Sequence, residues 1–385
     1  MPRNATTPLA VFDELWTAFS YHCAFLHLRS STRDWHLDSF REQFRARAAA
    51  LRPQTAEAAT SPDLLGILGI LADVVRLFSA DDGEKKPDIH CFLTTAEAAS
   101  AGSQELASND PPEWTSFEVA RRERWMEHAA TLAHAEGVRQ AGLFRFGMAA
   151  AEVGYIQLNA MDGFSSDTAP GGGFAQEYSA LAAVEACMQE AVPFFKQHGA
   201  RGVILDVRFN SGGEDHIGMT VASHFFAKPA VGFSKRSRLP MREYRGPEDQ
   251  LEWTDYSIDS VITPCADPEL TFAGPVAVLI SGYTLSAAEV FTLIMQAHPD
   301  CTFIGAPTCG CYSDILGTEL ANGWIVGLSN QFYTNHEGAN YEGVGLAPDM
   351  AVGDSYPSES ELAEGADAVL SSAVELLSSS NTSRL

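Results

Sequence analysis

The apolar positions of the chain follow two different patterns, and the change between them falls near residue 150. In the first ninety residues, apolar side chains recur three or four positions apart, as at Val11, Leu15 and Phe19, which predicts amphipathic helices. The segment 95–115 is rich in Ala, Ser, Asn and Pro, which favours a linker or loop. The other elements predicted before residue 150 are helices over 34–50, from Ser61 onward and over 116–136, and a short extended run over 89–93.

Beyond residue 150, short apolar runs alternate with longer helical segments. The runs GVILDV at 202–207 and PVAVLI at 275–280 are continuous, as is typical of parallel strands buried on both faces. Alternation of this kind predicts an α/β protein with a parallel-rich sheet and covering helices, preceded by an N-terminal helical domain. Further strands are predicted over 153–158, 301–304 and 323–328, and helices over 174–198, 286–297 and in the tail 358–377.

This pattern divides the chain into four predicted parts. A helical domain covers 1–94, a linker and helix cover 95–149, the α/β core covers 150–355, and a last helix and tail cover 356–385. The interval 95–149 is short and helix-like, so we expect no PDZ module there.

Composition narrows the classes of partner. The chain has 25 basic and 50 acidic residues and a formal charge of −25, which disfavours binding to nucleic acid or to anionic membranes. The most apolar stretch, 64–78, contains charges and is too short to cross a bilayer. No secretory signal is evident at the N-terminus, so we expect a cytoplasmic protein. The seven cysteines form an odd set without paired C-x-x-C spacing, which favours free thiols over disulfides or a zinc site; no metal or organic cofactor is predicted.

Three loops at predicted strand ends carry the residues that could support chemistry. The loop 208–213 (RFNSGG) follows the first buried run, and its glycines suit either a tight turn or a close backbone approach to a ligand. Ser286 begins a predicted helix after the second run, where serine either caps the helix or presents a nucleophile beside unpaired N–H groups. Glu342, in the loop 341–349, is either a solvated carboxylate or a catalytic one.

Taken in order, these loops resemble the tail-specific, or C-terminal-processing, peptidases, a family that also contains the tricorn core protease and retinoid-binding modules of the retina. The matching segments are GVILDVRFNSGG, GPVAVLISGYTLSAAEVF, FIGAPTCG and YEGVGLAPD, which extend over about 150–352. The N-terminal FDELWTAF, with Asp34-Trp35 downstream, is similar to the helical domain of small bacterial members. The resemblance implies a crotonase- or ClpP-like α/β core and serine peptidase activity.

The chain departs from the better-known branch of this family at one position. That branch pairs its serine with a lysine just after a G-x-x-T-x-G turn, but Cys311 stands there and no lysine follows Lys235. A Ser–Lys dyad is therefore not expected. Because Cys311 lies beyond the turn rather than at the start of a helix, we interpret it as a structural thiol in preference to a nucleophile.

The resemblance to the tricorn-like branch implies a different catalytic set. In that branch a histidine from a D-x-H motif acts as base, which Asp88-Ile89-His90 matches, and a glutamate orients it, which Glu342 matches. The implied roles are Ser286 as nucleophile, His90 as general base, Glu342 as its orienter, and the N–H groups of Gly213 and Ala287 as the oxyanion hole. Other histidines that compete for the role of base are His22, His27, His36 and His216.

A cluster of basic residues over 235–245 is a candidate for substrate recognition, but the sequence leaves its role open. Five basic residues lie within eleven positions of this acidic chain and could attract an anionic group such as a terminal carboxylate, although a solvated strand and turn is the ordinary interpretation. These residues are Lys235, Arg236, Arg238, Arg242 and Arg245.

The first functional hypothesis is a serine peptidase that cleaves a peptide or related amide through an acyl-enzyme. We expect its site where the helical domain meets the α/β core, because His90 and Ser286 come from different parts of the chain. Two alternatives remain: a non-catalytic module that binds an apolar ligand, and a biosynthetic hydrolase or acyl transferase acting on a small ester or amide. Assembly into a homo-oligomer is left open.

Overall fold

The computed structural model describes two compact units. The first takes Met1–Pro112, Lys235–Tyr256 and Ser313–Phe332, and the second takes Glu113–Ser234, Ser257–Tyr312 and Tyr333–Leu385. Within these ranges the residues that the structure describes are 7–23, 37–51, 69–70, 73, 88–95, 119–135, 137–139, 142–164, 174–239, 253–257, 260–320, 322–353 and 358–379. Most of the predicted third helix and the segment 96–115 lie outside the described residues.

The described helices are α1 (Pro8–His22), α2 (Leu37–Ala49), α3 (Val119–Leu132), α4 (Phe174–Gln197), α5 (Asp215–Ser223), α6 (Ala287–Gln296), α7 (Glu359–Glu364) and α8 (Ala368–Ser379), with a 3₁₀ turn at Pro268–Leu270. The described strands are β1 (Phe92–Thr95), β2 (Gly137–Arg139), β3 (Phe144–Ala150), β4 (Val153–Leu158), β5 (Gly202–Asp206), β6 (Ala230–Val231), β7 (Phe233–Ser237), β8 (Val261–Ile262), β9 (Val276–Ile280), β10 (Cys301–Gly305), β11 (Ile315–Glu319), β12 (Trp324–Ser329), β13 (Gln331–Asn335) and β14 (Met350–Ala351). Among these helices, none combines the length and apolar character needed to cross a bilayer.

The first unit packs α1 and α2 with a three-stranded antiparallel sheet in the order β1-β12-β11. Thr7 caps α1 through its hydroxyl, and Pro8 occupies the first turn, where its missing N–H costs nothing. The predicted apolar face of α1 is confirmed, since Leu15 and Phe19 are fully buried. The predicted run over 89–93 is a turn followed by β1, which begins at Phe92.

The strand predicted over 323–328 forms, but its place differs from the expectation of one α/β sheet. It is β12, and it pairs antiparallel with β1 and β11 in the first unit. The physical reason is that an apolar run records burial and not the partner, because strand pairing depends on segments far apart in the chain.

The second unit is built on a seven-stranded sheet in the order β14-β10-β9-β5-β4-β3-β2. Strands β14 to β4 are mutually parallel, and β3 and β2 continue the sheet in antiparallel fashion. This confirms the predicted parallel-rich α/β core. Because β5, β9 and β10 run the same way, the loops after their carboxyl ends meet at one edge of the sheet, where ligands bind in open α/β folds.

Both faces of the central strands are covered, which explains their continuous apolar runs. Along β5, Val203 and Leu205 join a core with α4 and α6, whereas Ile204 joins a separate core with α8 on the opposite face. Each fully buried aliphatic side chain of this kind contributes about 1.5–3 kcal/mol. The predicted single tail helix is wrong in detail, because Gly365 adopts a left-handed φ of 69° and ends α7 before α8 begins.

A buried ion network connects α8 to the sheet. The Arg208 guanidinium lies between the carboxylates of Asp206 and Asp367, at 2.7 and 2.9 Å, and all three side chains are almost fully buried. The Tyr155 hydroxyl also donates to Asp206 at 2.8 Å. Asp367 accepts the backbone N–H of Leu370, which caps α8. The network thus fixes the first turn after β5, which leads into the RFNSGG loop.

Candidate active site

Ser286 lies at the turn between β9 and α6 and has a strained backbone. Its φ of 55° and ψ of −129° are rarely adopted by a residue with a side chain, and such strain costs about 1–3 kcal/mol. The side chain makes no capping hydrogen bond to α6. The capping interpretation of this serine is therefore wrong, and its half-buried hydroxyl is held at the N-terminus of a helix without being used by that helix.

The glycine loop after β5 packs directly against this turn. Asn210 is fully buried; its side chain accepts the Gly212 N–H at 2.8 Å and donates to a backbone carbonyl of β4 at 3.0 Å. Gly212 has a φ of 94°, and a Cβ there would lie only 2.6 Å from the Ser286 Cβ. Only glycine permits this close approach, so the loop and the serine form one packed structure.

Two backbone N–H groups next to Ser286 remain available. Among the described residues, neither the Gly213 N–H nor the Ala287 N–H donates to any other group. Gly213 itself is exposed. The backbone hydrogen bonds with Met161 are formed by the residues on either side of Gly213, which are Gly212 and Glu214. Unused N–H groups at a helix start can stabilise a developing oxyanion, which is the role predicted for this pair.

Glu289 is a residue that the sequence analysis did not assign to the site. It is fully buried in the first turn of α6, and its two carboxylate oxygens accept the N–H groups of Gly310 and Cys311, each at 2.6 Å. The Cys311 carbonyl in turn accepts the Ser286 N–H at 2.9 Å. Glu289 therefore positions the turn that holds the backbone of Ser286. An acidic residue within an otherwise apolar helix is the sequence signal that could have revealed it.

Glu342 is buried, so the solvated-loop interpretation of this residue is wrong. Its side chain is inside the second unit, and one carboxylate oxygen accepts the Tyr312 N–H at 2.9 Å. Two glycine contacts press this loop against the turn before Tyr312, since a Cβ at Gly310 or Gly345 would lie within 3 Å of the opposite backbone. The loop 341–349 is thereby fixed beside residues 310–312.

His90 belongs to the first unit, where it is almost fully buried in the turn before β1. Burial lowers the pKa of its imidazole below the usual 6.5, against the opposing effects of the Asp88 and Asp314 carboxylates and of a hydrogen bond with the Ser313 backbone. The ring is therefore neutral at neutral pH, as a general base must be. Its Nδ1 atom has no hydrogen-bond partner among the described residues.

Asp88, the first residue of the D-x-H motif, organises this turn. It is buried, and its carboxylate accepts the backbone N–H of His90 at 3.2 Å and the hydroxyl of Ser329 at 2.9 Å. The approach of His90 to Ser286 stays a prediction. Of the competing histidines, His22 is half-buried and His216 is exposed beside Glu177 at 2.9 Å; the other two lie outside the described residues.

The arrangement agrees with a comparison to protein-family models. The model of peptidase family S41 matches residues 152–352, which is just over half of the chain. The chain belongs to peptidase family S41. The predicted resemblance to the C-terminal-processing peptidases is thereby confirmed.

Curated relatives match a little under half of this member of family S41. A carboxy-terminal-processing protease of Bartonella bacilliformis is 26% identical over 180 residues, covering 47% of this chain and 37% of the relative. The chloroplastic carboxyl-terminal-processing peptidase 2 of Arabidopsis thaliana is 24% identical over 174 residues, covering 45% of this chain and 30% of the relative. The match spans about a third of the length of these relatives.

Solved structures share the fold over nearly the whole length. A candidate peptidase from Parabacteroides merdae superposes with a TM-score of 0.66 at 18% identity, covering 97% of both chains. Mature CPAF complexed with lactacystin superposes with a TM-score of 0.61 at 11% identity, again covering 97% of both. Identities this low establish the fold alone.

In this S41 peptidase the position expected for a lysine has another use. Cys311 is fully buried, its N–H donates to Glu289 and its carbonyl accepts the Ser286 N–H. Its backbone thus contacts the serine turn. This agrees with the interpretation of Cys311 as a structural residue.

The described members of the basic cluster are engaged inside the first unit. Lys235 pairs with Asp314 at 3.1 Å. Arg238 is buried and donates to the Ser20 carbonyl at 2.7 Å. The Arg236 guanidinium lies about 5 Å from three ring centroids, those of Trp253, Tyr256 and Phe332. The expected strand forms as β7, but these three side chains contact other groups and are not freely solvated; the remaining two arginines lie outside the described residues.

Proposed function

We propose that this S41 peptidase is a serine peptidase that hydrolyses a peptide or related amide through an acyl-enzyme on Ser286. His90 is the general base, Glu342 orients it, and the N–H groups of Gly213 and Ala287 form the oxyanion hole. The substrate class follows from family membership and from the curated relatives, whose names describe carboxy-terminal processing.

The strained Ser286 turn is the observation that carries this proposal. A serine that only caps a helix has no reason to adopt a φ of 55° or to leave its hydroxyl unused by the helix. Strain of this kind persists where the surrounding structure enforces it, and here Gly212, Glu289 and the Cys311 carbonyl do so. A half-buried nucleophile beside two unused N–H groups is an arrangement suited to acyl transfer.

The covalent chain supports the assignment of the other two residues. The backbone N–H of Ser286 donates to the Cys311 carbonyl, and the Glu342 carboxylate accepts the Tyr312 N–H. The His90 ring forms a hydrogen bond with the backbone of Ser313. Each contact lies within one unit, and residues 311–313 are consecutive, with about 3.8 Å between successive Cα atoms. These contacts support the proposed roles of Glu342 and His90, each within its own unit.

The proposed chemistry follows these positions. As the Ser286 oxygen attacks the substrate carbonyl carbon, its proton passes to His90, and the carbonyl electron pair moves onto oxygen. The Gly213 and Ala287 N–H groups bind that oxyanion, and each such donor stabilises the transition state by about 3–4 kcal/mol. His90 then gives its proton to the departing amine as the C–N bond breaks. Water repeats the sequence on the acyl ester and restores the serine.

A fluorophosphonate probe tests the nucleophile without knowledge of the natural substrate. We expect the wild type to be labelled, with the adduct mapped to Ser286 by mass spectrometry. Labelling should disappear in Ser286→Ala and persist in Cys311→Ala, the matched control from the adjoining turn. Wild-type protein that is folded but unlabelled would refute the proposal and favour a binding module.

Panels of peptides and of small esters then separate peptidase activity from the biosynthetic alternative. Cleavage of peptides with release of a free amine supports the proposal, whereas turnover restricted to esters contradicts the proposed substrate class. The cytoplasmic location and the assembly state also stay predictions; cell fractionation and light scattering test them.

A further inference from the structure

Three side chains capable of binding a metal ion come together in the second unit. They are Glu185 on α4, His224 at the end of α5, and Cys265 in the loop after β8. A carboxylate oxygen, an imidazole nitrogen and the thiol sulfur all lie within 4.8 Å of one another. Because the three residues are far apart in the sequence, no spacing motif announces them.

The His224 ring has acceptors at both nitrogens. The ring is fully buried; Nδ1 lies 2.8 Å from the Leu270 carbonyl oxygen, and Nε2 lies 3.0 Å from a carboxylate oxygen of Glu185. A carbonyl oxygen only accepts, so Nδ1 carries a proton and donates it. Nε2 and the carboxylate oxygen then face each other at 3.0 Å, so a proton or a metal cation must lie between them.

This hydrogen-bond pattern is that of a metal-binding histidine. Such histidines donate their second ring N–H to a carbonyl or carboxylate, which fixes the tautomer and directs the other nitrogen at the metal. The Leu270 carbonyl fills this role here, and the Cys265 sulfur lies within 4.8 Å of the ligand atoms of His224 and Glu185.

We propose that Glu185, His224 and Cys265 bind one Zn²⁺ ion. Sulfur, nitrogen and oxygen donors together suit tetrahedral zinc, with bonds of about 2.0–2.3 Å, which place neighbouring ligand atoms roughly 3.5 Å apart. The nitrogen and the carboxylate oxygen are 3.0 Å apart, and all three ligand atoms lie within 4.8 Å of one another, which is compatible with one shared ion. The Glu185 side chain is one-third exposed, so water can reach the fourth position.

The ion would join three elements of the second unit. It would tie the C-terminal end of α5 to α4 and to the loop after β8, in addition to the bond from the Cys265 N–H to the Ser223 carbonyl at 2.9 Å. The nine residues of α5 separate this site from the Gly213 loop by about 13 Å along the helix. The role is therefore structural, and the inference does not depend on the proposed catalytic function.

Titration of chelator-treated full-length protein with Zn²⁺ and Co²⁺ tests the site. We expect one equivalent of zinc to bind in competition with a chromophoric chelator, and cobalt to give a thiolate charge-transfer band. Cys265→Ser should abolish that band and weaken zinc binding at least about 10-fold, since losing even an outer partner of a ligand costs about 10–100-fold. Zinc should raise the Tm of the wild type and not of Cys265→Ser.

Cys301→Ser is the matched control, because Cys301 is also half-buried in the second unit and free but lies outside the cluster. It should bind both metals as the wild type does. If Cys265→Ser does not fold, Glu185→Gln replaces it and should weaken zinc binding similarly. Wild type that binds no zinc, cobalt without a thiolate band, or equal binding by the wild type and the variant would overturn the proposal.

Discussion

Adding one methyl group at Gly212 should disable Ser286 while leaving the fold intact. An alanine Cβ at this position would lie 2.6 Å from the Ser286 Cβ, 2.8 Å from the Leu285 carbonyl and 2.9 Å from the Ala287 N. Ordinary van der Waals contact begins at 3.4 Å, so the serine turn or the glycine loop must move by about 0.8 Å.

The magnitude of each effect follows from this geometry. Gly212 has a φ of 94°, where alanine costs about 1–2 kcal/mol, and the overpacking adds about 1–3 kcal/mol. A displacement near 1 Å at a reacting group lowers reactivity about 100-fold. We therefore expect a modest fall in stability and a roughly 100-fold slower reaction of Ser286 with a fluorophosphonate.

Gly338→Ala separates strain from collision. Gly338 has a φ of 85°, almost the same as that of Gly212, but nothing lies within 4 Å of its added Cβ. This variant should lose about 1–2 kcal/mol of stability and react at the wild-type rate. Labelling kinetics and urea unfolding measure both quantities. Equal labelling rates for Gly212→Ala and Gly338→Ala would refute the argument that the glycine loop positions the serine.

Four further predictions concern buried ionisable groups. Glu289→Gln should lower the free energy of unfolding in urea by about 1.5–3 kcal/mol and also slow fluorophosphonate labelling, because one of the two charge-assisted hydrogen bonds of Glu289 is lost. An unchanged labelling rate would contradict the positioning role of Glu289. Because burial lowers the pKa of His90, the rate of fluorophosphonate labelling should stay high as the pH falls and decline only below pH 6.5. A pH-rate profile whose midpoint lies at or above 6.5, or whose midpoint is unchanged in His90→Gln, would contradict the role of His90 as base. Arg208→Met should cost about 3–5 kcal/mol, whereas Arg124→Met, which breaks an exposed pair, should cost about 0–1 kcal/mol in the same chemical denaturation. Burial alone would raise the pKa of Asp367, but Arg208 holds it below the usual 3.8. The Arg208–Asp367 pair therefore stabilises the fold above pH 3.8, and this stability is lost as the pH falls through the lower pKa of Asp367 in the folded protein. A pH-stability curve that is unchanged in Arg208→Met would contradict this prediction.

Part of the candidate site was accessible from the sequence. Ser286, Gly213 and Glu342 could be singled out because each follows a recognisable strand or sits in a glycine-rich loop at a sheet edge. The function of these residues was not decided by that placement, since a serine at a helix start is ordinarily a cap. The strained φ of Ser286 and the missing capping hydrogen bond of its side chain distinguish the two interpretations, and both are properties of the folded chain.

Glu289 and the Glu185–His224–Cys265 cluster show the limit of the sequence. Glu289 satisfies two N–H groups more than twenty positions away, and His224 faces a carboxylate 39 positions away. A carboxylate or imidazole at a given position carries no local sign of a partner at that distance. Burial makes such partners obligatory, but only the packed structure determines which groups they are.

The sequence by itself determined the alternation of β4, α4, β5, β9, α6 and β10 in the α/β core, because apolar periodicity and glycine placement act locally on the backbone. Tertiary structure alone decided that β12 joins the sheet of the first unit, that α7 and α8 are separate, and that Arg208 is neutralised by two buried carboxylates. Those outcomes depend on pairing and on the desolvation of charge, which are energies between segments far apart in the chain.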